Sequence, residues 1–382
     1  MILPSFLIPQ ETSPGENRVA ASPETVKKLV SLGLKVSLES DAGTRAGFSN
    51  ESYISAGADI VSRGDQRAWE EADVIFCVQA PLDDHIKKLK PGSLIAGLLD
   101  PYGNKPLSEC LQENRISAFA LELLPRISRA QSADALSSQA NIAGYKAVLL
   151  AASELDRYFP MLMTAAGTVQ PAKVVVLGAG VAGLQAVATS RRLGAVVYVS
   201  DIRPAVKEQV ESLGARFISP PENEEKPSES GGYAKQASER FLIEQREQLA
   251  LHLSEADVAI STAQVPGKKA PLLINEEILD RMRPGSVVVD LAVDQGGNCS
   301  GTLPGKTILR KGVKLIGASG LPSSVPNHAS SLYSRNLLAL FEPFIKDGEL
   351  ELDLEDELVS GCLISDKGTI RYPDIINQGG AN

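Results

Sequence analysis

Residues 173–201 read KVVVLGAGVAGLQAVATSRRLGAVVYVSD, an order of residue types that spells strand, tight turn, helix, strand, acid. Gly178 permits the tight turn, Gly180 lets backbone approach a pyrophosphate, and Gly183 lets the helix pack against the strand. The helix beginning near Val181 then offers free N–H groups and a favourable dipole to phosphate. Asp201 stands 18 residues beyond Gly183, at the end of the second strand. There a carboxylate can accept bonds from the adenosine ribose hydroxyls while repelling a 2′-phosphate, which favours NAD over NADP. Arg203, two residues on, points the other way, because an arginine there can pair with a 2′-phosphate.

Outward from this unit the chain echoes itself. EADVIFCVQAP at 71–81 matches EADVAISTAQVP at 255–266, LKPGSLIAGLLD at 89–100 matches MRPGSVVVDLAV at 282–293, and ISAFALELLP at 116–125 matches VKLIGASGLP at 313–322. Three matched segments in the same order predict an α/β protein of two doubly wound, Rossmann-like domains with a deep interdomain cleft, linked by long helices. The opening of the first copy, LIPQETSPGENRVAASPETVKKLV at 7–30, has no GxGxxG. It still predicts strand, loop and helix, with Ser22 as N-cap and Pro23 at the first helical position, in a domain that binds no dinucleotide.

A long helix is expected within residues 128–155 and another over Ser330–Lys346, which would return the chain to the first domain. An acidic stretch and a short strand pair around Asp366–Gly368 follow. The expected domains are residues 1–135 with 330–382, and 136–329, the latter holding NAD(H). The segment 219–236, SPPENEEKPSESGGYAKQ, reads either as a lid hinged at Gly231 and Gly232 that carries Tyr233, or as a solvated insertion.

Composition sets the exclusions. A net charge of −9 and no basic cluster exclude a nucleic-acid partner. Cys77, Cys110, Cys299 and Cys362 are scattered, as are His85, His252 and His328, so no metal is expected. Neither a signal peptide nor an apolar run long enough to span a bilayer is read from the chain.

One more segment carries chemistry: LLPRISRAQSADALSSQ at 123–139, after the last strand of the first domain, where doubly wound folds place ligands. Arg126, Arg129, Gln131, Ser132, Asp134, Ser137 and Ser138 supply guanidinium, amide, hydroxyl and carboxylate groups, without His, Lys or Cys. The set suits holding a nicotinamide carboxamide and ribose; it reads equally as a helix N-terminus capped by Ser132 or Asp134 beside surface arginines.

The stretches RISRAQSADALSSQANIAGYKAV, FPMLMTAAGTVQPAKVVVLGAGVAGLQAVATSRRLGA, KEQVESLGARF, GGYAK and PGSVVVDLAVDQGGN together resemble the NAD(H)-binding component of proton-translocating NAD(P) transhydrogenase, over essentially the whole chain. The resemblance implies a homodimer, cytoplasmic and peripheral on the cytoplasmic face of the membrane, docked on a membrane-spanning subunit and on a separate NADP(H)-binding component. Hydride would pass directly from NADH to NADP⁺, coupled to proton translocation, and only with the partner subunits present. It further implies that Gln131 lies between the two nicotinamides, with Arg126, Ser132, Ala133, Asp134 and Ser137 in the same pocket. Val181, Asp201, Ile202 and Arg203 would contact the dinucleotide; Gly232, Gln245 and Gln264 would line the site; and Tyr233 would sit on a closing loop.

Alanine dehydrogenase shares this plan, but its pattern has a Lys in the strand matching VIFCVQAP and a His in the strand matching LIAGLLD. Here Gln79 stands at the lysine position and the second segment has no His. Arg18 resembles that enzyme's substrate-carboxylate arginine, and Asp294 is shared; the sequence assigns neither a role. Transfer of hydride between two C4 atoms needs alignment and exclusion of water, with no acid–base group. Two other readings stand beside it: an alanine dehydrogenase-like amino-acid oxidoreductase, and a non-catalytic NAD(H) redox sensor.

Overall fold

Valines and leucines of the strands alternate between two cores, because successive side chains of a strand point to opposite faces of its sheet. A computed structural model describes residues 4–219 and 239–372, the side chains of 239–243 and 245 excepted. The chain divides into two units, Met1–Gln139 with Pro322–Asn382, and Ala140–Leu321.

The first unit is built on β1 (Ser5–Ile8), β2 (Lys35–Glu39), β3 (Asp59–Val61), β4 (Val74–Gln79), β5 (Leu94–Leu98) and β6 (Ser117–Ala120). On β4, Val74, Phe76 and Val78 face one core and Ile75 and Cys77 the other. The helix after β1 runs Pro23–Ser31, and the Ser22–Thr25 capping box closes its start.

In the second unit, β7 (Leu162–Thr164) and β8 (Gly167–Val169) form a separate hairpin. Then come β9 (Lys173–Leu177), β10 (Val196–Ser200), β11 (Arg216–Ile218), β12 (Val258–Ser261), β13 (Val287–Asp290), β14 (Thr307–Arg310) and β15 (Val313–Gly317). The sheet order is β11-β10-β9-β12-β13-β15-β14, parallel except for β14.

The chain returns to the first unit through β16 (Ile345–Lys346), β17 (Glu349–Leu350), β18 (Leu363–Asp366) and β19 (Thr369–Ile370), giving the order β19-β18-β6-β5-β4-β1-β2-β3. Both sheets therefore share one doubly wound plan, β3-β2-β1-β4-β5-β6 against β11-β10-β9-β12-β13-β15. The three echoed sequence pairs are the strand pairs β4/β12, β5/β13 and β6/β15.

One helix differs from expectation and another is bounded more closely. The helix expected over Ser330–Lys346 runs Pro326–Phe341, because Pro326 fits a first turn that needs no N–H, while Pro343 cannot continue a helix interior. The helix expected within residues 128–155 starts at Ala135, just past Asp134, one of its two expected caps, after a 3₁₀ segment Ser128–Ala133. Asp134 stops the 3₁₀ turn by accepting from the Ser137 N–H at 2.8 Å and from Ser137 Oγ at 2.5 Å. Among the described residues no helix is long and apolar enough to cross a membrane.

Candidate functional site

The glycine turn of the second unit follows β9 directly. Gly178 has φ 101°, a left-handed conformation open to glycine, and its N–H donates to the Ser200 carbonyl at 2.8 Å. A Cβ on Gly183 would lie 1.9 Å from the Gly178 oxygen, so only glycine lets the helix Val181–Arg192 come this close to the turn. A Cβ on Gly180 would meet nothing within 4 Å, and no side chain caps the helix that it begins. An uncapped N-terminus beside open backbone fits a pyrophosphate.

Asp201 is buried at the end of β10, and both of its oxygens are engaged. Oδ2 accepts from the Ala179 N–H at 2.7 Å, inside the glycine turn. Oδ1 accepts from the Arg203 N–H at 2.9 Å, and the Arg203 guanidinium closes on the carboxylate from Nε and Nη2, each at 3.0 Å. The arginine that could have served a 2′-phosphate thus pairs with the acid two residues before it. Val181 and Ile202 stand exposed beside them.

The neighbouring strand end supplies the remaining wall. Thr262 Oγ1 donates to the carbonyls of Leu177 and Gly178, and Gln264 Nε2 donates to the Leu291 carbonyl at 2.8 Å. Two residues that the sequence did not single out hold this wall. Asp290, fully buried, accepts from Ser261 Oγ, the N–H groups of Ala292, Asn298 and Cys299, and Thr302 Oγ1. Asn298 in turn clamps both backbone groups of Ala263. The signal was present: a carboxylate ends the otherwise apolar run SVVVD, where only a full set of donors makes burial tolerable.

Gly178, Gly180, Val181, Gly183, Asp201, Ile202, Arg203 and Gln264 are thus together at the carboxyl ends of β9, β10 and β12. Gly232 and Tyr233 lie outside the described residues, as does the side chain of Gln245, and the expected lid falls there too. Asp294 is exposed and accepts from Ser319 Oγ.

In the first unit, Arg126, Gln131, Ser132, Ala133, Asp134 and Ser137 share one segment after β6. Asn336 donates to the Ser132 carbonyl at 2.8 Å and accepts from Ser138 Oγ at 2.7 Å, pinning the 3₁₀ segment. Ala133 is buried beneath it, whereas Arg126, Gln131 and Ser132 are exposed. Arg129 does not join them: its guanidinium forms a bidentate pair with Asp356 at 2.7 and 2.8 Å.

A buried polar network lies at the end of β4. Arg18 donates from Nε and Nη2 to Glu16 at 2.8 and 2.6 Å, and from Nη1 to Gln139 at 2.9 Å. Gln79 Nε2 donates to Glu16 at 3.2 Å, and Ser323 Oγ donates to the same carboxylate. Burial opposes ionisation of Glu16, but the bonds and charge of Arg18 prevail and hold it down to about 2. Among the described residues no cation bonds the Glu11 carboxylate: its oxygens accept the N–H groups of Val78 and Gln79, and burial, aided by the Glu16 charge, pushes its carboxyl up to about 8. Burial likewise pushes Glu122 up to about 7, with Oε2 sealed from solvent and unpartnered. The three histidines lie elsewhere, His85 stacked on Trp69, His252 tilted on Tyr198 and His328 in the helix Pro326–Phe341. Among the described residues no group of acidic, His and Cys side chains could hold a metal ion.

Two family models match the chain: the alanine dehydrogenase/PNT N-terminal domain over residues 7–143 and its C-terminal domain over residues 147–373. An NAD(P) transhydrogenase subunit alpha polypeptide of Rhodospirillum rubrum is 49% identical over 380 residues, covering 97% of this chain and 99% of that protein. The solved transhydrogenase of Sinorhizobium meliloti has a TM-score of 0.86 at 44% identity, covering 96% of this chain and 99% of that one. Alanine dehydrogenase of Bacillus subtilis is 29% identical, covering 84% of this chain and 80% of that protein.

Proposed function

The chain belongs to the alanine dehydrogenase/PNT family, and from that premise we propose that it is the NAD(H)-binding component of a proton-translocating NAD(P) transhydrogenase. Bound NADH would supply hydride from its nicotinamide ring directly to NADP⁺ held by a partner component, with proton translocation through a membrane-spanning subunit. The chain then works as a homodimer on the cytoplasmic face of that membrane, and turns over only with its partners.

In this reading the uncapped helix N-terminus at Gly180 and Val181 takes the pyrophosphate, and Gly178 and Gly183 shape the approach. Asp201, with Arg203 folded over it, receives the adenosine ribose, Ile202 flanks it, and Gln264 lines the site. Arg126, Gln131, Ser132, Ala133, Asp134 and Ser137 orient the nicotinamide, with Gln131 between the two rings. Gly232 and Gln245 line the site with Gln264, and Tyr233 belongs to the closing loop. None of these residues has to move a proton.

The observation that carries the choice of transhydrogenase over amino-acid oxidation is the state of Gln79. Its amide donates to Glu16 in a network that already satisfies Arg18. An amide neither takes nor gives a proton at neutral pH, and an amine oxidation needs a group that does.

The test uses the purified chain alone and with an NADP(H)-binding partner. Alone it is expected to bind NADH well and NADPH poorly, with no oxidation of alanine by NAD⁺. With the partner it is expected to exchange hydride between NADH and an NADP analogue. Turnover of alanine plus NAD⁺ by the isolated chain would overturn the proposal in favour of the dehydrogenase. Tight NADH binding with no exchange in the complex would favour a redox sensor.

A further inference from the structure

Gln131 is exposed, and among the described residues nothing hydrogen-bonds its side-chain amide. Its place is therefore set by the backbone of the 3₁₀ segment Ser128–Ala133 that carries it. Ala130 and Ala133 bury their methyl groups beneath that segment. Apolar packing is non-directional, however, and two methyl groups do not fix a turn to a fraction of an ångström.

Two directional contacts flank Gln131, one on each side. On the C-terminal side, Asn336 Nδ2 donates to the Ser132 carbonyl at 2.8 Å while Oδ1 accepts from Ser138 Oγ at 2.7 Å. One amide thus ties the end of the 3₁₀ segment to the first turn of the helix Ala135–Glu154. On the N-terminal side, Arg129 reaches Asp356 through two bonds of 2.7 and 2.8 Å. Asp356 is itself fixed, because its Oδ1 caps the helix Glu357–Cys362 at the Leu358 N–H, 2.8 Å away.

Neither contact is needed by the fold. Asn336 is 9% exposed and stands among Tyr333, Leu337 and Leu340 on the buried face of its helix, where an apolar residue would be ordinary. A buried amide costs free energy unless its ends are bonded, so its presence answers to the segment that it holds. Without it, Ser138 Oγ would keep the Ala135 carbonyl at 3.1 Å, and the exposed Ser132 would have water for its own carbonyl. The Arg129 side of the ion pair is half-exposed, and such pairs add little to stability.

We propose that Asn336 and Asp356 are positioning residues for hydride transfer, which fix the Gln131 amide by gripping the segment on either side of it. The inference deepens the proposed function and rests on its reading that Gln131 lies between the two nicotinamides. Hydride passes when the reacting atoms come within about 3–3.5 Å, and a misplacement of about 1 Å can cost about 100-fold. In that reading most of the dinucleotide is received by the glycine turn and Asp201. Looseness at Gln131 would therefore show in the rate and hardly in binding.

Single-turnover hydride exchange between NADH and an NADP analogue, in the complex with the NADP(H)-binding partner, tests it. Asn336→Ala is expected to slow exchange at least about 30-fold, with the NADH dissociation constant within about threefold of the wild type. Asp356→Asn keeps an acceptor for the Leu358 N–H and loses the ion pair. It is expected to slow exchange about fivefold, again with unchanged NADH binding. Because that pair adds little to stability, the second variant decides the matter even if the first misfolds. Deuterium uptake over residues 128–134 of the chain alone is expected to rise in both variants, a readout that needs no partner. A folded variant that exchanges hydride at the wild-type rate, or a rate and an NADH affinity that fall in proportion, would overturn the proposal. Uptake unchanged from the wild type would overturn it whatever the complex does. A wild-type complex that transfers no hydride would overturn the proposed function instead, while uptake still decides whether the two clamps hold the segment.

Discussion

The Ala179 N–H lies in the middle of the glycine turn, and the carboxylate of Asp201 is its acceptor. Asp201 therefore fixes the turn, besides the ribose-binding role proposed for it. Asp201→Ala leaves that buried N–H without a partner, which costs about 1–3 kcal/mol, and frees the Arg203 guanidinium. NADH affinity is expected to fall by about tenfold or more, equivalent to about 1.4 kcal/mol, in a fluorescence titration. Asp201→Asn keeps an acceptor and should lose less; equal losses would show that only the charge matters. The sequence spacing placed Asp201 and Arg203 at the strand end, but not their mutual bond. A competitor for a 2′-phosphate and a neutraliser of the acid are the same residue type, and only side-chain direction separates them. Arg129 shows the same limit: it reads with Arg126 and Gln131, yet Asp356, 227 residues away, claims it.

At the scale of elements, the helix Ala135–Glu154 packs through Gly144 on the helix Val181–Arg192. Gly144 approaches the first turn of Val181–Arg192 so closely that a Cβ would lie 2.1 Å from the Ala182 oxygen. Backbone cannot yield as a flexible side chain does, so Gly144→Ala must push the two helices apart. Overpacking of this kind costs about 1–3 kcal/mol. The expected outcome is a lower melting temperature together with weaker NADH binding, because the displaced turn is the one proposed to meet phosphate. Unchanged binding in a destabilised variant would show that the two helices move as one body. Elements with strong local signals were legible: the alternating aliphatic strands, the capped helix at Ser22 and the glycine turn. The hairpin β7–β8 was not, because MLMT and GTV are too short for a periodic pattern and lack a buried face to enforce one. The boundary at Ala135 was legible only through its cap, Asp134, one of the two expected, since apolar spacing continues back through Ala130 and Ala133, which are buried from a 3₁₀ turn.

Over the whole molecule, the buried acids of the first unit set how stability responds to pH. Glu11 titrates near 8 in the folded chain against an ordinary 4.5, and Glu122 near 7. Between the two values the folded state holds a proton that the unfolded state has released, so stability falls as pH rises through that window. Each group contributes a slope of up to about 1.4 kcal/mol per pH unit. Glu16 acts in the opposite sense: held down to about 2, it stabilises above the ordinary carboxylate range, and its contribution disappears as pH falls from about 4.5 toward 2. Between pH 5 and 8 Glu16 is therefore silent, and Glu11 and Glu122 govern. Urea unfolding midpoints are expected to decline across that range. Glu11→Gln mimics the protonated acid at every pH, so the variant should gain on the wild type steadily from pH 5 to 8 and show a shallower decline. Glu122→Gln should act the same way with its largest gain completed by about pH 7. A Glu11→Gln variant that runs parallel to the wild type across the range would show that Glu11 is already ionised in its niche, held by the Val78 and Gln79 N–H groups. The proton would then be assigned to Glu122 alone.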